Sequence, residues 1–191
     1  SGKGTVGKLL AKKLKLKYYS IGGMRRQMAI ERGMTLQEFN VLGEKQAFTD
    51  KEVDQWQKKL GRTKDNIIVE GRTSFHFIPH SIKLFLKADL NVAAKRIFKD
   101  TAHVRLFEAS RRYKTPAELA HGLRHRIASD TRRYKKYYGL NIFRPSHYDL
   151  VVDTSRLTAK KTVSQILSFL DDKNRAEGVG KVKKITKARR K

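Results

Sequence analysis

The stretch Ser1-Gly2-Lys3-Gly4-Thr5-Val6-Gly7-Lys8-Leu9-Leu10 decides how the rest of the chain is read. Its first five residues match the second half of the pattern G-x-x-x-x-G-K-[ST]. In that pattern small residues let backbone N–H groups close around phosphate oxygens, and the lysine reaches the outer phosphates. The pattern must run directly into a helix, whose N-terminus adds a partial positive charge. Val6, Leu9, Leu10 and Leu14 recur at the required helical spacing. Two departures stand out. Gly4 occupies the position where Ser or Thr usually holds Mg²⁺, leaving Thr5 one place late. The first glycine and the strand that should feed the loop are absent as well. That strand aims the loop and is central in a sheet of this class, so its neighbours would lack hydrogen-bond partners without it. The expectation is that the sequence begins inside its own loop. The competing view is a plain glycine- and lysine-rich start.

Downstream, Tyr18-Tyr19-Ser20, Ile67-Ile68-Val69, Ile82–Leu86 and Leu150-Val151-Val152 read as short strands. Helical patterns lie between them, over Met24–Arg32, from Thr35 onward, over Asp54–Leu60 ending near Gly61, and over Val92–Phe98 capped by Asp89. Thr35 with Glu38, and Thr115 with Glu118, have capping-box spacing. Pro116 at the first helical position opens a long basic helix that should stop at Gly139. A last helix, Lys161–Leu170, carries Val163, Ile166, Leu167 and Leu170 on one face. Strands alternating with helices imply a parallel α/β sheet.

The chain has 191 residues, 39% of them hydrophobic, enough for one compact core with a small mobile subdomain. It contains no cysteine, which excludes disulfides and thiolate metal sites. Its six histidines form no HExxH motif, so nothing suggests zinc. No run approaches the roughly 18 apolar residues of a bilayer span. A cytoplasmic protein with no membrane association, a monomer, is the working expectation. The net charge of +26 favours polyanionic company. Residues 173–191 hold nine basic residues and one acid, a net +8, so the remaining +18 is spread over residues 1–172. This tail reads as basic and disordered, and it is suited to bind nucleic-acid phosphates without sequence preference.

Several separated segments carry a resemblance. Ser1–Thr5 has the S-G-K-G-T form of nucleoside monophosphate kinases, and the rest of the chain resembles the short, archaeal-type cytidylate kinases. The matching segments are Ser20-Ile21-Gly22-Gly23-Met24-Arg25-Arg26, Glu31–Asn40, Val69-Glu70-Gly71-Arg72, Arg133-Tyr134, Tyr138-Gly139 and Tyr148–Ser155. Thr101–Tyr113 agrees least, being longer and more basic than the family pattern. The resemblance implies a three-layer P-loop kinase fold over residues 1–172, a parallel sheet flanked by helices with the first central strand missing. It places a monophosphate-binding region at about residues 21–62 and a lid at about residues 100–115. It further implies transfer of the ATP γ-phosphate to CMP or dCMP, with Mg²⁺. Ser1, Gly2, Lys3, Gly4 and Thr5 would hold ATP, and Lys3, Arg126 and Arg133 would act on the transferring group. Arg26, Arg72, Arg126, Asp130 and Arg133 would face the monophosphate. Thr5, and Glu70 through water, would serve Mg²⁺. Within the lid the candidates are Arg105, Arg111, Arg112 and Lys114.

Phosphoryl transfer asks a protein mainly for positioning and positive charge, so converging arginines suit it independently of any resemblance. The simpler alternatives are definite. Arg126 and Asp130, four apart, form an ordinary solvated helix pair worth ~0.3–0.5 kcal/mol. Arg25 competes with Arg26, which is favoured by family register. Glu70 is placed to pair with Arg72. At the level of the whole protein the rivals are an adenylate- or shikimate-type kinase and a basic RNA- or ribosome-associated protein on a kinase-like fold.

Overall fold

The computed structural model describes residues 2–46, 48–100 and 113–176. The chain divides into two compact units, one holding residues 2–21, 56–87 and 145 onward, the other residues 22–55 and 88–144. Among the described residues the first unit holds every strand.

In that first unit, α1 (Lys3–Leu14) leads into β1 (Lys17–Ser20), which pairs in parallel with β2 (Ile67–Glu70), Lys17 opposite Ile67 and Ser20 opposite Glu70. A second parallel pair joins β3 (Leu84–Lys87) to β4 (Leu150–Asp153), with Leu84 opposite Leu150. The strand direction agrees with the alternating pattern, but the four strands form two separate two-stranded sheets, not one continuous ladder. Among the described residues no further strand joins the two pairs.

Core packing joins both pairs to the helices. Val6 and Leu10 of α1, Leu86 of β3, Val152 of β4, and Val163, Ile166 and Leu170 of α8 (Ala159–Ala176) form one buried cluster, against which Ile68 of β2 also packs. The apolar stripes read from sequence at the two ends of the chain therefore meet across the strands. Helix α8 continues to Ala176, taking in the first four residues of the expected tail. The remaining tail, from residue 177, lies outside the described residues, as do Ser1 and residues 101–112 with Arg105, Arg111 and Arg112.

The second unit is helical. It contains most of α2 (Ile21–Glu31), all of α3 (Leu36–Lys45), the first half of α4 (Phe48–Thr63), α6 (Leu90–Lys99) and α7 (Pro116–Tyr138). A short helix, α5 (Ser74–Phe77), belongs to the first unit. Ala94 of α6 packs with Leu119, Ala120 and Leu123 of α7. Tyr137 on α7 donates its hydroxyl to the Gly43 carbonyl at 3.0 Å, covering an otherwise orphaned C-terminal acceptor of α3.

The capping expectations resolve in detail. Thr35 and Glu38 form the full reciprocal box, with the Glu38 N–H donating to Thr35 Oγ1 at 3.1 Å and the Thr35 N–H donating to Glu38 Oε2 at 2.7 Å. At α7 only half the box forms, because Glu118 Oε2 accepts from the Lys114 N–H at 2.9 Å, not from Thr115. Asp89 caps α6 through Val92, and α7 stops at left-handed Gly139. Helix α4 begins six residues before Asp54 and continues through Gly61 to Thr63. Glycine in a helix costs only ~1 kcal/mol, less than the buried Val53 and Leu60 on the same helix contribute.

Candidate active site

Two constellations stand out, one in each unit. In the first unit Gly2 caps α1 with φ 69° and ψ 24°, a left-handed conformation that glycine adopts without steric penalty. No side chain caps this end, and its first turn carries no acid. The leading N–H groups and the positive end of the helix dipole are thus presented to an anion. Lys3 and Gly4 are half-buried and Thr5 is exposed.

Glu70, the last residue of β2, is linked to this loop by a residue that sequence reasoning treated only as part of a strand. Tyr18 donates its hydroxyl to Glu70 Oε2 at 3.3 Å, and Ser20 donates to the same oxygen at 2.9 Å. The Tyr18 hydroxyl also lies 3.6 Å from the point where a Cβ on Gly4 would sit. A carboxylate and hydroxyls converging beside the start of α1 are hard oxygen donors of the kind Mg²⁺ takes, directly or through water.

Arg72 follows β2 after Gly71. A Cβ on Gly71 would fall 2.2 Å from Ser74 Oγ and 2.6 Å from Ile21 Cγ1, so only glycine lets the chain pass. Buried hydrogen bonds fix the turn beyond it, Ser74 Oγ to Gln57 Oε1 at 2.8 Å and Gln57 Nε2 to Thr73 Oγ1 at 3.4 Å. Half-buried Arg72 is therefore carried on an immobilised strand end.

In the second unit four charges are buried together. Arg133 is 2% exposed, Asp130 and Asp50 each 4%, and Arg25 7%. Arg133 Nη2 donates to Asp130 Oδ1 at 2.8 Å and to the Tyr134 hydroxyl at 3.2 Å. Its Nε lies 3.1 Å from Asp50 Oδ2, an ion pair whose N–H is not aligned for a hydrogen bond. Arg25 Nη1 donates to the other Asp50 oxygen at 2.7 Å, and Arg25 Nε donates to Asn40 Oδ1 at 3.3 Å. Next to this group Tyr138 donates its hydroxyl to Asp54.

Burial pushes the Asp50 carboxyl above its ordinary value against the pull of Arg25 and Arg133. Burial likewise lowers Arg25, while for Arg133 the neighbouring Tyr134, Asp50 and Asp130 outweigh desolvation and hold it protonated. Among the described residues Arg25 Nη2 and Arg133 Nη1 have no hydrogen-bond partner. Leaving buried guanidinium donors unmet is expensive, and an anionic ligand would satisfy them.

The sequence-derived candidates thus fall into two groups. Lys3, Gly4, Thr5, Glu70 and Arg72 belong to the first unit, and Arg26, Arg126, Asp130 and Arg133 to the second. Asp130 is buried, which removes the solvated-pair alternative for that residue. Arg126 is half-buried one turn before it on the same helix face. Arg26 is half-buried, whereas its neighbour Arg25 occupies the charge cluster. A sequence signal for this existed. Ile21, Met28 and Ala29 are the buried apolar residues of α2, and position 25 falls on their stripe while position 26 is turned about 100° away.

A glycine-capped, lysine-bearing helix start beside parallel strands is the arrangement of the P-loop phosphotransferase class. The chain belongs to the cytidylate kinase-like family, whose model matches residues 1–156. It is similar to the cytidylate kinase of Methanocella arvoryzae, 38% identical over 177 residues covering 92% of this chain and 94% of that one. It also resembles the cytidylate kinases of Archaeoglobus fulgidus, 33% identical over 91% of both chains, and Methanosphaera stadtmanae, 31% identical over 91% and 94%.

Proposed function

We propose that this chain is an ATP-dependent kinase that moves the γ-phosphoryl group of ATP onto the α-phosphate of CMP or dCMP. The observation that carries this is the span of the family match, residues 1–156, which takes in the phosphate loop, the Glu70–Arg72 strand end and the buried arginine cluster alike. An acceptor phosphate oxygen attacks in line, the bond from the γ-phosphorus to the β,γ-bridging oxygen breaks, and ADP leaves with that electron pair. The protein supplies no nucleophile.

Residues Ser1–Thr5 hold the ATP phosphates, with the α1 N–H groups aimed at them and Lys3 neutralising charge as it develops. Arg26 and Arg72 face the monophosphate, together with Arg25, which the buried cluster adds. Asp130 accepts hydrogen bonds from the sugar hydroxyls, while Arg126 and Arg133 address the transferring phosphates. Forked guanidinium groups suit this work because they bind phosphate bidentately. Thr5, and Glu70 through water, would hold Mg²⁺, and that ion would supply further charge neutralisation on the phosphates. Tyr18 and Ser20 orient the Glu70 carboxylate for this purpose.

The test is ADP formation from ATP by the purified chain against a panel of CMP, dCMP, UMP, AMP and shikimate. The proposal expects turnover with CMP or dCMP well above that with AMP and shikimate. Silence with both CMP and dCMP, from folded protein, would overturn it.

A further inference from the structure

Helix α7 carries His121 and His125 one turn apart, in the segment His121-Gly122-Leu123-Arg124-His125. The spacing is the i,i+4 spacing of HExxH without its glutamate. Both rings are exposed, yet they turn toward each other. Their Nε2 atoms are 3.2 Å apart, with ring centroids at 4.4 Å and planes inclined by 70°.

That separation has a metal-binding meaning. Imidazole nitrogens bind first-row divalent metals at about 2.0–2.1 Å. Two such ligands at coordination angles from about 90° to about 109° stand roughly 2.8–3.4 Å apart, a range that brackets the observed 3.2 Å. The helix backbone fixes both Cβ positions, so little rotamer adjustment is needed to close the chelate. Glu118 lies on the same face, three residues before His121, and contributes negative charge to a surface otherwise crowded with cations.

We propose that His121 and His125 form a two-histidine chelate for a late first-row divalent cation such as Zn²⁺, with water completing the coordination. Each ring donates its Nε2 lone pair to the metal and keeps its proton on Nδ1. The Nε2 hydrogen bond between the rings is replaced by two metal bonds. Imidazole prefers such ions to Mg²⁺, a hard cation that takes oxygen ligands, so this site is chemically distinct from the one that serves phosphoryl transfer.

The experiment uses the untagged full chain, titrated with Zn²⁺ in competition with a chromophoric chelator while the histidine ring signals are followed by NMR. The expected result is one Zn²⁺ whose binding perturbs the rings of His121 and His125. Either His121→Gln or His125→Gln should weaken that binding at least tenfold, and His80→Gln should leave it unchanged. Glutamine is a good helix former and both positions are exposed, so the variants keep the fold. Their turnover with Mg²⁺ and ATP should match the unaltered chain. Absence of Zn²⁺ binding, binding that leaves these two rings unperturbed, or affinities within twofold in both variants would overturn the proposal.

Discussion

Replacing Arg133 with methionine keeps the length of the side chain and removes its charge. Arg133 is buried against Asp130 at 2.8 Å and Asp50 at 3.1 Å and is hydrogen-bonded to Tyr134. With Arg25, the four charges balance. Without Arg133, two buried carboxylates face a single guanidinium. Removing one partner of a buried ion pair costs about 3–5 kcal/mol, because the other is left uncompensated. Burial opposes the charge on Arg133, and Tyr134, Asp50 and Asp130 together hold it protonated in spite of that burial. Against a total stability of about 5–15 kcal/mol this is a large fraction. For a chain of this size each kcal/mol moves the Tm by about 2–4 °C, giving a fall of about 6–20 °C. Thermal unfolding followed by circular dichroism measures it. Arg133→Lys, which keeps the charge but not the fork, should recover part of the Tm while leaving turnover with CMP low. A fall of less than about 2 °C for Arg133→Met would refute the view that a buried, interdependent charge cluster organises this helix face.

Three further outcomes follow from the same geometry. Gly71→Ala places a methyl group 2.2 Å from Ser74 Oγ and 2.6 Å from Ile21, so overpacking should destabilise the chain by about 1–3 kcal/mol in urea unfolding and displace Arg72 enough to raise KM for CMP; unchanged stability would contradict the close approach. Arg25→Lys should lower turnover and stability more than Arg26→Lys, because only Arg25 sits in the buried cluster, and equal effects on both would favour family register over burial. The backbone N–H of Thr35 holds the Glu38 carboxyl below its ordinary value of 4.5, so its contribution to α3 is present above that pH and lost as pH falls through the depressed value. A carbon-13 NMR titration should therefore place the Glu38 midpoint below 4.5, and a midpoint at or above 4.5 would contradict the reciprocal cap.

Local chemistry was legible in the sequence wherever one residue type has one strong use. The Thr35 box, the Asp89 cap, the Gly139 stop and the β-branched strands all formed where their residues dictate. Helix α4 was only half legible. Its buried face includes Thr49, Asp50, Asp54 and Gln57, and a polar stripe of that kind reads as a solvated surface until its partners are known. Those partners, Arg25, Arg133, Tyr138 and Ser74, lie from 17 to 84 positions away. No local periodicity encodes pairings at such separation. Tyr18 was hidden for a related reason, since a tyrosine in a strand is ordinary until Glu70 is found opposite its neighbour Ser20. For the pair Arg25 and Arg26 two signals diverge, family register pointing to Arg26 and the helical stripe of Ile21, Met28 and Ala29 to Arg25.

The most direct test of the account is the steady-state rate of ADP formation with ATP, Mg²⁺ and CMP, compared between the chain and Lys3→Ala. Lys3 is half-buried at the start of α1, outside the apolar cluster, so its loss should leave the fold and the Tm essentially unchanged. Removing one preorganised charge from a developing phosphate anion should lower kcat by at least ~10²-fold. Turnover near that of the unaltered chain, from a variant with an unchanged Tm, would contradict the assignment of Ser1–Thr5 as the phosphate loop and the function built upon it.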